Sequence, residues 1–151
     1  MITEKNNPKR KLTLTEMLDA IDSISGKGSK QKRIDLIRKF SREYPSFNDY
    51  LRGVFDDRIQ FALPEGRPPY TPAGEAPPSS WHRAHMQLGD FVKGIRAENF
   101  NDLKREMRWI HLLESIDEKD SVLIADMSDK RCGSSVLTKK LVEEALPNLV
   151  S

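Results

Sequence analysis

The chain has 151 residues, room for one domain with a core of its own but hardly for two. Hydrophobic residues make up 37% and charged residues 32%, a polar composition that is still not that of a disordered chain. A single cysteine, Cys132, excludes an internal disulfide framework. No apolar run approaches the ~20 residues that span a bilayer, and the basic start from Met1 to Lys11 does not read as a secretory leader. The expected setting is a reducing cytoplasm, with no membrane partner.

Residues 1–11 read as a flexible basic arm, and 12–151 as one helical domain. Thr13 or Thr15 can cap a first helix carrying Met17, Leu18, Ile21 and Ile24 at helical spacing, with Gly26 and Gly28 ending it. Ser29 is expected to cap a second helix through Ile34, Ile37, Phe40 and Tyr44, stopped by Pro45. Ser46 begins a third, with Phe47, Tyr50, Leu51, Val54 and Phe55. Six of the nine prolines fall within 64–78, which excludes regular helix or central strand there. The segment should be an ordered surface connector or a mobile loop. Helix resumes at Ser79 or Ser80, with Trp81, His85, Leu88, Phe91, Val92 and Ile95 facing inward. Asn99 or Asn101 caps the next helix, whose inward residues read as Leu103, Met107, Ile110, Leu113 and Ile116. Asp117 caps a short helix holding Val122, Leu123, Ile124 and Met127, and a turn at Asp129–Gly133 leads to a last helix over Ser134–Leu146. No segment alternates as a strand does. The expected fold is all-α: about seven helices around one core, with the proline connector in the middle.

Charge is distributed unevenly. Residues 1–60 carry 13 Lys and Arg against 9 Asp and Glu, whereas residues 101–151 carry 8 against 10. The sharpest cluster, Lys27 to Arg42, has seven basic residues opposed only by Asp35. Lys27, Lys30, Lys32 and Arg33 gather at the start of the second helix, where they can make a local positive face. An ordinary solvated helix face is the competing reading of the same charges.

The turn Lys130-Arg131-Cys132-Gly133-Ser134-Ser135 is the most informative segment. Glycine allows a tight or left-handed backbone, Ser134 or Ser135 can cap the following helix, and free amides at its start attract anions. Arg131 can fork two hydrogen bonds onto one phosphate. Routine helix capping would use the same residues.

With that turn go Val136, Leu137, Leu141, Val142, Ala145 and Leu146, the apolar face of an amphipathic helix. In this order of features, over Leu112 to Ala145, the chain resembles the N-terminal DNA-binding domain of ATP-dependent DNA ligases, especially the short form in T-even phages. The Gly26–Lys32 segment is similar to the start of the second helix of that domain. The resemblance implies a helical domain that grips the minor-groove side of duplex DNA and meets its backbone at the Arg131–Ser135 turn. The Lys-x-Asp-Gly motif bearing the adenylated lysine is absent, and the sequence ends near where a nucleotidyltransferase domain would begin. What is implied is a DNA-gripping module without ligase chemistry. The chain also resembles uncharacterised proteins of large tailed phages, which would place it in a host cytoplasm.

Other side chains suggest chemistry less strongly. His82, His85 and His111 could ligate zinc, but no Cys pair or acidic set joins them, so no metal or cofactor is expected. Cys132, near a predicted helix start, has no committed histidine or acid partner. Asp117, Glu118 and Asp120 suit capping better than metal binding. Trp81, Trp109, Tyr44 and Tyr70 could stack on bases, with Trp109 the better core residue. The sequence therefore predicts a non-enzymatic protein that holds duplex DNA by its phosphates through Lys27, Lys30, Lys32, Arg33, Lys130, Arg131, Gly133, Ser134 and Ser135. Its rival is a protein-interaction module, binding an enzyme or belonging to a virion, that docks a partner through the proline connector with Tyr70 and Trp81.

Overall fold

Thr13 opens the first helix, α1 (Leu14–Asp22), with a capping box: its hydroxyl accepts the Glu16 amide while the Glu16 carboxylate takes the Thr13 amide. The computed structural model describes residues 10–151, so most of the arm expected over 1–11 lies outside the described residues. Six further α-helices follow among them: α2 (Ser29–Glu43), α3 (Pro45–Phe55), α4 (Trp81–Ala84), α5 (Asp102–Ser115), α6 (Glu118–Met127) and α7 (Lys139–Ala145). Two 3-10 segments, His85–Phe91 and Ala97–Asn99, lie between α4 and α5. The described residues form no strand, only an isolated bridge between Phe61 and Val92. None of their helices is long and apolar enough to cross a membrane.

The helix ends follow ordinary capping chemistry. Asn101 accepts the Lys104 amide, Asp117 the amides of Lys119 and Asp120, and Thr138 the Leu141 amide. Gly28, in the left-handed region at φ 75°, takes the cap position expected for Ser29, and α3 starts at Pro45 rather than Ser46.

α3 is the centre of the packing. It meets α2, α4, the first 3-10 segment and α6, and buries Phe47, Tyr50, Leu51 and Val54. Gly53 faces Met127 of α6 so closely that a Cβ would collide with its sulfur, so glycine sets how near α3 and α6 approach. α7 lies along α2, and α5 against α6. The Trp81 indole donates to the Ser46 carbonyl at 2.8 Å, and Trp109 packs edge-on to Phe91.

Three expectations about facing or extent are corrected. The helix expected from Ser79 onward tightens after four residues into 3-10 geometry; Trp81, Leu88, Phe91 and Val92 are buried as expected, but Ile95 is 60% exposed. α5 buries Leu113 as expected, with Ile116 just after it, but turns Arg105, Trp109 and Leu112 inward in place of Leu103 and Met107, which are 69% and 61% exposed. The last helix begins at Lys139, not Ser134.

Candidate nucleic-acid interface

The α1–α2 loop and the turn before α7 are far apart in sequence and adjacent in the fold. α1 ends at Asp22, whose side chain reaches across to the turn. One carboxylate oxygen accepts the Ser134 hydroxyl at 2.5 Å, and the other accepts the Ser135 amide at 3.4 Å. The Ser134 oxygen in turn accepts the amides of Val136 and Leu137. The Gly133 amide donates to the Tyr50 hydroxyl at 2.9 Å. Burial is the main cause that pushes the Tyr50 phenol far above its ordinary range, so it stays neutral here. Asp22 thus ties the C-terminal end of α1 to the turn before α7.

That geometry corrects the expected anion site. No helix starts at Ser134, so no helix dipole stands behind the turn, and its donors already serve Tyr50 and Asp22. Gly133, Ser134 and Ser135 hold the turn in place rather than offering free amides to phosphate. Gly133 is not in the left-handed region; it is needed because a Cβ would collide with Leu123. The left-handed residue of the turn is Lys130, at φ 62°. Its ammonium points back into the fold, donating at 2.9 Å to the carbonyls of Gly53 and Asp56 at the end of α3, and sits over the Phe61 ring. Burial lowers its pKa.

The basic residues of α2 divide in the same way. Arg33 donates to the Ile24 carbonyl at 2.6 Å and pins the loop, while Lys30 pairs with Glu144 of α7 at 2.9 Å. Arg38 donates to the Ala145 carbonyl at the end of α7. By contrast, the side chains of Lys27, Lys32 and Arg131 are exposed and make no hydrogen bond or ion pair with the described residues. Lys39 and Arg42, not singled out in the sequence, continue the exposed face from Lys32 at seven- and ten-residue spacing. Arg42 also lines an open groove of about 460 Å3 with Arg38, Arg52 and the 145–149 segment. The helical spacing 32, 39, 42 was visible in the sequence, but not which of the seven cations the fold would consume.

The remaining candidates are structural. His82 bonds Ser46 and the Leu12 carbonyl, and His85 bonds Asp49. No group of three or more His, Cys, Asp or Glu among the described residues is placed to hold a metal. Asp120 anchors α1 by accepting the amides of Leu14 and Thr15 and the Thr15 hydroxyl. Cys132 is part-buried, and burial raises its thiol pKa rather than a helix start lowering it. Trp81 and Trp109 are buried, Tyr44 stacks on His82, and the Tyr70 hydroxyl meets Ser121 at 3.2 Å. The two buried tryptophans present no free face for base stacking, and Trp81 is no docking surface.

A family model described as a family of unknown function (DUF6433) matches residues 20–134. No curated protein matches the chain. No solved structure matches it either.

Proposed function

We propose, from the premise that the chain belongs to the DUF6433 family, that it is a non-catalytic protein that grips duplex DNA by its phosphate backbone. One observation carries this reading: Lys27, Lys32 and Arg131 keep exposed side chains that make no hydrogen bond or ion pair with the described residues. Lys32, Lys39 and Arg42 add further cations along the exposed face of α2. Exposed cations without internal partners are free to neutralise phosphates and release counterions, with little base preference. The ligase-like order of features from Leu112 to Ala145 and at Gly26–Lys32 supports the same ligand and a role in phage replication, repair or genome handling.

A salt titration of binding to a short duplex tests the reading. Affinity should fall linearly on a log–log plot, with a slope of about −0.9 per phosphate contacted. Lys32→Ala and Arg131→Ala should each weaken binding and make the slope shallower by roughly one unit, with unchanged thermal melts. Lys130→Ala should leave the slope as it is. No binding at low salt, or equal binding by all the folded variants, would overturn the proposal.

A further inference from the structure

Arg38 and Arg42 lie one turn apart on α2, and Arg52 belongs to α3. All three line the open groove of about 460 Å3 that the 145–149 segment completes. That segment is held in place. Arg38 donates through Nε to the Ala145 carbonyl at 2.8 Å, the Leu149 amide returns to the Leu146 carbonyl at 3.2 Å, and the Ser151 carbonyl accepts the Asp57 amide at 2.8 Å. The groove is thus built by the fold and is not a gap beside a loose segment.

No carboxylate lines it. Of its three guanidiniums only Arg52 has an ion pair, with Asp49 at 3.1 Å. Arg38 is held by the carbonyls of Ala145 and Glu144, which orient its charge without cancelling it. Arg42 makes no hydrogen bond or ion pair with the described residues. Three positive charges against one negative leave two unbalanced around a single groove. Gathered like charges repel one another, so an anion placed among them is favoured. The count selects which anion. A carboxylate or a backbone phosphodiester carries a single negative charge. A phosphate monoester carries about 1.5 to 2 at neutral pH and presents three acceptor oxygens, which guanidinium forks match in pairs. Leu146, Pro147 and Leu149 add an apolar wall beside the cations, suited to the sugar and base that carry such a phosphate. We infer that the groove of Arg38, Arg42 and Arg52 binds the phosphate monoester of a nucleotide. Two sources share that chemistry: the 5′-phosphate at the end of a DNA strand, and a free mononucleotide. The first source rests on the DNA reading above; the preference of the groove for a monoester does not.

Two binding measurements test it. A short duplex with 5′-phosphates is compared with the same duplex bearing 5′-hydroxyls, and deoxyadenosine 5′-monophosphate is titrated alone by calorimetry with deoxyadenosine as its control. If the ligand is a strand end, the phosphorylated duplex should bind about tenfold tighter. Arg42→Ala and Arg52→Ala should each remove most of that preference with unchanged thermal melts; Arg38 stays in place because it also holds the end of α7. Lys32→Ala should weaken both duplexes alike and keep the preference. If the ligand is a free nucleotide, the monophosphate should bind while the two duplexes do not differ, and the same two substitutions should abolish its binding. A preference or an affinity that survives both substitutions would overturn the inference, as would deoxyadenosine binding as well as its phosphate. Equal binding of the two duplexes with no uptake of the monophosphate would overturn it and leave the DNA reading standing. Uptake of the monophosphate without binding of either duplex would sustain the groove and end the DNA reading.

Discussion

Lys130 shows how a single backbone angle redirects a cation. A lysine at φ 62° sits in a region that L-residues rarely adopt, and there its side chain runs toward the C-terminal end of α3, where unsatisfied carbonyls need donors. Lys130→Ala should cost about 1.5–3 kcal/mol in urea denaturation, because two hydrogen bonds from a charged group are lost. Gly133→Ala should also destabilise, by about 1–3 kcal/mol, since the added methyl must displace Leu123. Both residues stood out in the sequence as chemistry on the surface. The pattern Lys-Arg-Cys-Gly-Ser-Ser reads as a phosphate turn because it holds a cation, a glycine and two hydroxyls. It does not reveal that Asp22, 112 residues before Ser134, supplies the carboxylate that accepts the Ser134 hydroxyl and the Ser135 amide. Arg131 keeps its expected exposure and makes no side-chain hydrogen bond or ion pair with the described residues.

At the scale of elements, periodicity located helices well and their faces less well. Thr13, Asn101 and Asp117 were legible as caps because capping is local chemistry. The first half of α5 was misoriented because the helix is apolar on two sides: Leu103, Met107 and Ile110 make as good a stripe as Trp109, Leu112 and Leu113, and only the neighbours decide which is covered. Arg105 settles it by going inward to the carbonyls of Ala62, Ala97 and Phe100. The proline segment was correctly read as non-helical, but its attachment was not readable, because it depends on Glu114 of α5, Asp126 of α6 and Asp129 in the turn after α6, all distant in sequence. Arg67→Ala should accelerate limited proteolysis within residues 64–78. Global stability should shift by no more than about 1 kcal/mol, since the Arg67–Asp126 pair is largely solvent-exposed on the arginine side.

For the molecule as a whole, buried carboxylates tie separate elements together and set the response to acid. Asp90, in the first 3-10 segment, binds Arg96 at 2.7 Å and Arg108 of α5 at 2.7 Å. Burial pushes its pKa up, but the two guanidiniums outweigh burial and hold it below the ordinary value. The Arg58 hydrogen bonds lower that of Asp56. A carboxyl with a depressed folded pKa stabilises the fold fully above its unfolded value, and that contribution is lost as pH falls through the folded one. Asp120 is shifted the other way, chiefly by burial, so its protonation favours the folded state and partly offsets the loss. Urea midpoints should therefore fall as pH drops below about 4. Asp90→Asn should lower stability at neutral pH and flatten that acid limb; parallel curves for the variant and the wild type would contradict this assignment.

The same Asp120 also has a consequence in time. It is the acceptor that finishes the start of α1, yet it lies 106 residues after Leu14. A ribosome adds ~5–20 residues per second, so the first helix waits on the order of ten seconds for its acceptor to be made. Through that interval Leu14, Met17, Leu18 and Ile21, all buried in the finished fold, have no α6 to cover them. Nascent chains arrested before Asp120 should be poor in helix and prone to aggregate, and those arrested well after it should not. The domain closes late, and its beginning is among the last parts to settle.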